Sequence, residues 1–271
     1  MADKELNAVV KQRIEVSPYL IILRVAPVGW ELTDFTPGQF AAIALPGSAP
    51  RYRFSDVEEK TPDPDKLIKR AYSIASSSVE REYVEFYITL VRSGALTPRL
   101  FSLEIGDRLW LSKKFPGTFK LSDAPDDANI IFAATGTGLA PYMSMLRSDF
   151  EFDGERRIAV LHGASHSWDL GYMAELVTME RLCSNFTYIP IISRPDDEPT
   201  PWRGAVGHMQ DLWNSGELDK EWGAHPKPSD THIFLCGNPL MIEGMVETLA
   251  KEGFTEQTRK EPGTIHLERF W

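Results

Sequence analysis

The chain has 271 residues, which points to two domains, and its 42% hydrophobic and 25% charged residues match an ordinary globular protein. A net charge of −10 argues against nucleic acid as the main partner, because such surfaces are basic. Two cysteines cannot build a four-thiolate zinc or iron–sulfur site, and the six histidines show no short metal-ligand spacing, so no metal is expected.

No apolar run approaches the roughly 20 residues of a membrane span. The opening MADKELNAVVKQR has no apolar signal-peptide core. The expectation is a cytoplasmic monomer with neither membrane nor nucleic acid as partner.

Up to about residue 122 the apolar runs are short. YLIILRV (19–25), GQFAAIAL (38–45), KRAYSIAS (69–76), YVEFYITLV (83–91) and DRLWLSK (107–113) each read as a strand, with turn signals such as TPG, LPG, RSG, IGD and FPG separating many of them. This spacing predicts an all-β barrel or sandwich. A short helix is predicted within 95–104, where Pro98 suits the first turn and Thr97 is a candidate cap. Residues 48–69 are polar, hold three prolines and read as a long surface loop.

From SDAPDDA (122–128) the rhythm changes. Buried strands are predicted at NIIFAAT (129–135), RRIAVLHGA (156–164), FTYIPIIS (186–193) and HIFLCG (232–237). Helices are predicted from the turn at 136–150 and at 172–183, 207–216 and 239–253. The alternation predicts a parallel α/β sheet and a division into domains 1–123 and 124–271.

Two turns stand out in the second half. ATGTGLAP (134–141) leaves a buried strand and opens a helix, where glycines let backbone approach an anionic group. It is neither a Walker A loop nor a GxGxxG fingerprint, since position 141 is proline. FLCGNPLM (234–241) repeats the arrangement, with Cys236 at the strand end, where open parallel sheets bind ligands. Cys236 also reads simply as a small buried residue, Tyr72 as packing, and Arg70 and Glu268 as solvated charges.

RAYS at 70–73, GTGLAP at 136–141, CGNP at 236–239 and a terminal aromatic occur in that order. With EFYITLVRSGALTPRL (85–100), ISR (192–194), SGEL (215–218) and EPGTIHLERFW (261–271), the chain closely resembles the bacterial ferredoxin/flavodoxin–NADP⁺ reductases over nearly its whole length.

The resemblance implies a six-stranded antiparallel FAD-binding barrel followed by a Rossmann-like parallel sheet with helices on both faces. It implies FAD and NADP(H) as cofactors, with NADH as an alternative donor, and ferredoxin or flavodoxin as partner. It places Arg70 on the FAD diphosphate, Ala71 and Tyr72 at the flavin, and Ser73 near flavin N5. It adds Ile88, Thr89 and Leu90 beside the flavin, Ala95 and Thr97 at the diphosphate, and Trp271 stacked on FAD. Gly136, Thr137 and Gly138 cradle the pyridine nucleotide, with Thr137 also approaching the flavin. Cys236 and Gly237 border the nicotinamide, and Glu268 is a carboxylate close to the reaction.

In the family it resembles, close relatives often grip the NADP 2′-phosphate with three arginines. Here Ser193–Arg194 keeps one, Ser165 and His208 occupy the other positions, and Arg203 is a candidate substitute. NADPH preference over NADH is therefore expected to be reduced, not lost. Arg92, Arg99, Lys113 and Lys114 read either as a docking patch for an acidic partner or as solvated charges. The alternatives in view are an NADH-linked reductase component of an oxygenase and a flavin electron-transfer or regulatory subunit without turnover of its own.

Overall fold

In the computed structural model, which describes residues 5–151 and 154–269, the chain divides at Lys120. One unit is the chain up to Lys120 together with Ala140–Asp149; the other is Leu121–Leu139 with the chain from Phe150 onward.

The first unit is an antiparallel sheet of β1 (Ala8–Ser17), β2 (Leu20–Pro27), β3 (Phe40–Pro46), β4 (Leu67–Ser73), β5 (Val84–Thr89) and β6 (Arg108–Leu111). Its order is β4-β3-β6-β1-β2-β5. An antiparallel bridge from Ile74 to Phe86, and Ala75 N donating to Glu85 O at 2.8 Å, join the two end strands and close a barrel. Closure removes the exposed edges that an open sheet must otherwise protect. Ile21, Leu23, Ile43, Phe86 and Leu109 fill the interior, all fully buried.

Five of these strands fall on the predicted runs. The sixth, β1, was not among them. Its sequence AVVKQRIEVS is charged or polar at half of its positions, and only Ala8, Val10 and Ser17 are buried, so the period-two signal is faint. The short helix is α1 (Thr97–Leu100), and its N-cap is Leu96, not Thr97. The Thr97 hydroxyl instead donates to Val91 O at 3.1 Å and accepts from Val91 N at 3.0 Å, closing the turn that leads into the helix.

Helix α2 (Ala140–Asp149) belongs to the first unit. Arg147 donates to Ala75 O at 2.8 Å and to Glu85 Oε1 at 2.6 Å, while Arg24 Nε meets Glu85 Oε2 at 2.6 Å. Glu85 is 1% exposed, so these two guanidiniums are what make its charge tolerable there.

The second unit is an all-parallel sheet in the order β10-β9-β8-β7-β11-β12. The strands are β7 (Asn129–Thr135), β8 (Ile158–Ala164), β9 (Phe186–Ile192), β10 (Ala205–Val206), β11 (Thr231–Cys236) and β12 (Ile265–Glu268). Helices α3 (Met173–Leu182), α4 (Met209–Ser215), α5 (Glu217–Trp222) and α6 (Pro239–Ala250) cover it. Ile131, Ala133, Ile233 and Leu235 pack with residues of α4, α5 and α6. The alternate positions Phe132 and Phe234 meet edge to face at 5.6 Å on the opposite side of the sheet.

Strand order runs from β7 through β8 and β9 in one direction and through β11 and β12 in the other. The switch in direction lies between β7 and β11, where open α/β sheets leave a crevice beyond the strand ends. The strands β10 and β12 and the helix α5 were not predicted; β10 has two residues and β12 four, too short for periodicity to register.

Candidate functional site

In the barrel, the RAYS segment ends β4, which pairs with β3 as Ile43–Arg70, Ala42–Ala71, Ala41–Tyr72 and Phe40–Ser73. Alternation puts Arg70 and Tyr72 on one face and Ala71 and Ser73 on the other. Arg70 is exposed, its Nη1 donates to Lys69 O at 2.8 Å, and no carboxylate pairs with it among the described residues. Tyr72 is half-buried, its ring edge-on to Phe86 at 6.3 Å, and burial keeps its phenol neutral by raising its pKa. Ser73 is buried and its Oγ has no hydrogen-bond partner. An unpaired buried hydroxyl costs about 1–3 kcal/mol, so this one is a fitting contact for a polar atom of a bound group.

Ile88 and Leu90 are buried on either side of the exposed Thr89. The turn after them carries Ala95 and Thr97, both half-buried. Their backbone N–H groups donate to no acceptor among the described residues, as an anion-binding turn requires. Arg99, expected on the surface, is 2% exposed and ion-paired with Glu58, which removes it from any docking patch. Arg92, Lys113 and Lys114 are exposed.

In the α/β unit the two glycine turns flank the switch point. A Cβ on Gly138 would lie 2.3 Å from Cys236 O and 2.7 Å from Gly237 N. A Cβ on Gly237, whose φ is +136°, would lie 2.2 Å from Thr135 Oγ1. Thr135 Oγ1 accepts from Asn238 N at 2.7 Å. The turns are therefore packed backbone to backbone. Gly136, by contrast, faces open space, and Thr137 beside it is half-exposed. Such a floor lets a pyrophosphate approach main-chain N–H groups without a side chain in the way.

Cys236 ends β11 in register with Glu268 of β12. Its thiol lies 3.9 Å from Glu268 Oε2, to which it donates. Burial raises the Glu268 carboxyl to about 9, and burial followed by the neighbouring carboxyl raises the Cys236 thiol. At neutral pH the pair is a carboxylic acid beside a thiol, with no net charge.

The outer strands carry the remaining predicted residues. Ser193 N and Arg194 N donate to Ala164 O and Ser165 O at 3.1 and 3.0 Å, extending the β8–β9 pairing and placing Arg194 next to Ser165. His208 is the N-cap of α4, its N–H held by Asp211 at 2.7 Å. Arg203 is exposed and lies two residues before β10, whereas Arg194 follows the carboxyl end of β9, so the strand register does not bring them together. Trp271 lies outside the described residues.

A strap that was not predicted ties these loops. Glu198 accepts from Ser167 N at 2.7 Å and Ser167 Oγ at 2.6 Å. His166 stacks on Trp168 at 4.3 Å and reaches Asp169 and Asp197, each at 3.3 Å. The acidic run Asp196–Asp197–Glu198 after Arg194 was the available signal. Among the described residues no cluster of three metal-ligating side chains occurs, and no helix is long and apolar enough to cross a membrane.

Residues 132–247 match the oxidoreductase NAD-binding domain family. The chain is 31% identical over 242 residues to a flavodoxin/ferredoxin–NADP reductase of Buchnera aphidicola subsp. Baizongia pistaciae, covering 89% of each. It is 33% identical over 207 residues to a ferredoxin–NADP reductase of Azotobacter vinelandii, covering 74% of this chain and 80% of that one. Its fold matches that of a ferredoxin NADP⁺ reductase from Neisseria gonorrhoeae solved with bound FAD and NADP, with a TM-score of 0.77 and 21% identity over 98% of each chain. With this identity, coverage and fold, the chain belongs to the flavodoxin/ferredoxin–NADP reductase family.

Proposed function

We propose that this chain is an FAD-dependent reductase that exchanges electrons between NADPH and a one-electron carrier protein, ferredoxin or flavodoxin. The observation that carries the reading is the Ser73 hydroxyl, buried without a partner in a strand that also holds the unpaired Arg70 and the flat face of Tyr72. When bound, a flavin accepts two electrons with a hydride and releases them one at a time.

The residues supply everything around that chemistry. Arg70 provides a guanidinium for a diphosphate, and the N–H groups of Ala95 and Thr97 add to it. Tyr72 offers a neutral ring for stacking, between the flanks formed by Ile88, Thr89 and Leu90. Ser73 orients the ring atom that receives the hydride. Gly136, Thr137 and Gly138 hold the pyrophosphate of the nicotinamide nucleotide. Cys236 and Gly237 border its reactive ring, and Ser193 with Arg194 meets its 2′-phosphate. Glu268, protonated at neutral pH, holds a proton at its carboxyl and adds no charge beside the ring. The barrier falls mainly through positioning, since the reacting rings need no side-chain base.

The reading takes the chain as a cytoplasmic monomer, which light scattering and cell fractionation check. The exposed Lys113 and Lys114 suit an acidic carrier, whereas Arg92 is already paired with Asp56 at 2.9 Å; carrier reduction should then slow as salt is raised, and a salt-independent rate removes the patch.

Anaerobic stopped-flow reduction by NADPH and by NADH tests the function. Fast bleaching of the flavin band by NADPH, followed by reduction of added ferredoxin or flavodoxin, is the expected result. Faster bleaching by NADH moves the assignment to an NADH-linked reductase component. A protein that binds no flavin, or whose flavin neither nucleotide reduces, overturns the reading.

A further inference from the structure

The excursion between β3 and β4 is long for a hairpin, and it is stitched down along its length. Gly47 N donates to Lys66 O at 3.0 Å and Ser48 N to Pro64 O at 3.1 Å, closing the base. Further out, Tyr52 N donates to Pro98 O at 2.8 Å and Asp56 N to Arg92 O at 3.0 Å. Arg51 reaches Gly94 O at 3.0 Å and Arg92 O at 3.3 Å. Every one of the outer partners belongs to the turn 91–99 that carries Ala95 and Thr97.

The centre of this seam is one carboxylate. Glu58 receives Arg99 as a fork, Nη1 to Oε1 at 2.7 Å and Nη2 to Oε2 at 3.0 Å, and also accepts from Arg51 at 2.9 Å. The same Arg99 nitrogens donate to Ala95 O at 2.6 Å and Gly47 O at 2.7 Å. A buried arginine cannot shed its proton, so it keeps this position only while a counter-charge stays in place. Without Glu58, Arg99 has to turn toward water, and its bond to the Ala95 carbonyl goes with it.

We propose that Glu58 is a positioning residue for the cofactor: through Arg99 and Arg51 it fixes the turn at Gly94–Thr97 in the shape that receives the flavin diphosphate. This rests on the flavoenzyme reading above. The loop is thereby a working part of the barrel site and not a neutral elaboration of the surface. A neutral elaboration would affect how readily the protein unfolds and leave flavin affinity alone.

The test is the FAD dissociation constant of the full chain, read by quenching of flavin fluorescence, for wild type, Glu58→Asp and Glu58→Gln, with the urea midpoint of each apoprotein alongside. Losing the charged fork should raise the constant about tenfold in Glu58→Gln. Glu58→Asp, which keeps the charge with a shorter reach, should fall between. If Glu58→Gln does not fold, the pair Glu58→Gln/Arg99→Gln removes both charges and carries the same expectation. An unchanged FAD constant in the folded variant, with only the urea midpoint shifted, overturns the inference and leaves the flavoenzyme reading intact. A wild-type protein with no affinity for FAD overturns both.

Discussion

The two units build their ligand-facing turns by opposite physics. The barrel holds its turn with charge: Arg99 and Arg51 grip Glu58, and Arg24 and Arg147 grip Glu85 at the closure itself. The α/β unit holds its turns with absence of side chains, Gly138 against Cys236 O and Gly237 against Thr135, and the buried Glu268 there is met by the Cys236 thiol. Glu85 and Glu268 are both buried, yet one sits between two guanidiniums and the other is a neutral acid. Burial alone does not decide what a carboxyl does; its partners do.

The largest test of this contrast is Arg147→Ala. It leaves Glu85, at 1% exposure, with a single arginine. Breaking a buried pair by removing one partner costs about 3–5 kcal/mol. Denaturant unfolding should show a loss of that order in the barrel. A loss under about 1 kcal/mol would mean that the charge network is no more than a surface ion pair in effect.

Glu268 should behave in the reverse sense. Its folded pKa of about 9 exceeds the ordinary 4.5, so the folded state binds a proton that the unfolded state releases. The sign follows: its contribution is whole below pH 4.5 and is lost progressively as pH rises toward 9. Glu268→Gln removes that dependence. Near pH 7.5 the variant should be the more stable protein, by on the order of 3 kcal/mol, and near pH 4 the two should converge. Equal stability of the two at pH 7.5 would show the carboxyl to be ionised.

Gly138→Ala tests the glycine side. The clash is with backbone at 2.3 Å, which cannot rotate away. Displacement of a binding turn by about 1 Å costs on the order of a hundredfold in rate. Reduction by NADPH should fall by about that much, while FAD stays bound to the barrel. A variant reduced as fast as wild type would show that the turns are not held by contact.

The same contrast explains what the sequence made legible. Glycine is recognisable by type inside one short segment, so GTG and CGNP announced themselves, and so did the strands that carry them, although the two turns that pack together lie far apart in the chain. Electrostatic devices join distant residues: Glu58 and Arg99 are 41 positions apart, and Arg99 alone looked like an ordinary surface charge. Thr97 looked like a cap because the residue type fits, but its hydroxyl had a better partner in Val91. β1 was missed because its pairing with β2, not its own alternation, makes it a strand. The acids after Arg194 were visible, but their bonds to Ser167 and His166 depend on two loops meeting at neighbouring strand ends.

Those acids sharpen the smallest effect. Arg194 is exposed, no ion pair forms with it among the described residues, and the residue beside it is the uncharged Ser165. Asp196, Asp197 and Glu198 follow after Pro195, and Glu198 is committed to Ser167. In the proposed reading a dianionic phosphate would meet one guanidinium in a neighbourhood rich in carboxylates. One charge-assisted contact of this kind contributes about 1.5 kcal/mol, or roughly tenfold. The ratio of kcat/KM for NADPH to that for NADH should be of that size, and Arg194→Ala should bring it close to one by lowering the NADPH value alone. A preference that survives Arg194→Ala would pass the phosphate to another cation, for which Arg203→Ala is the direct check; a loss with both nucleotides would assign Arg194 to the fold of the loop.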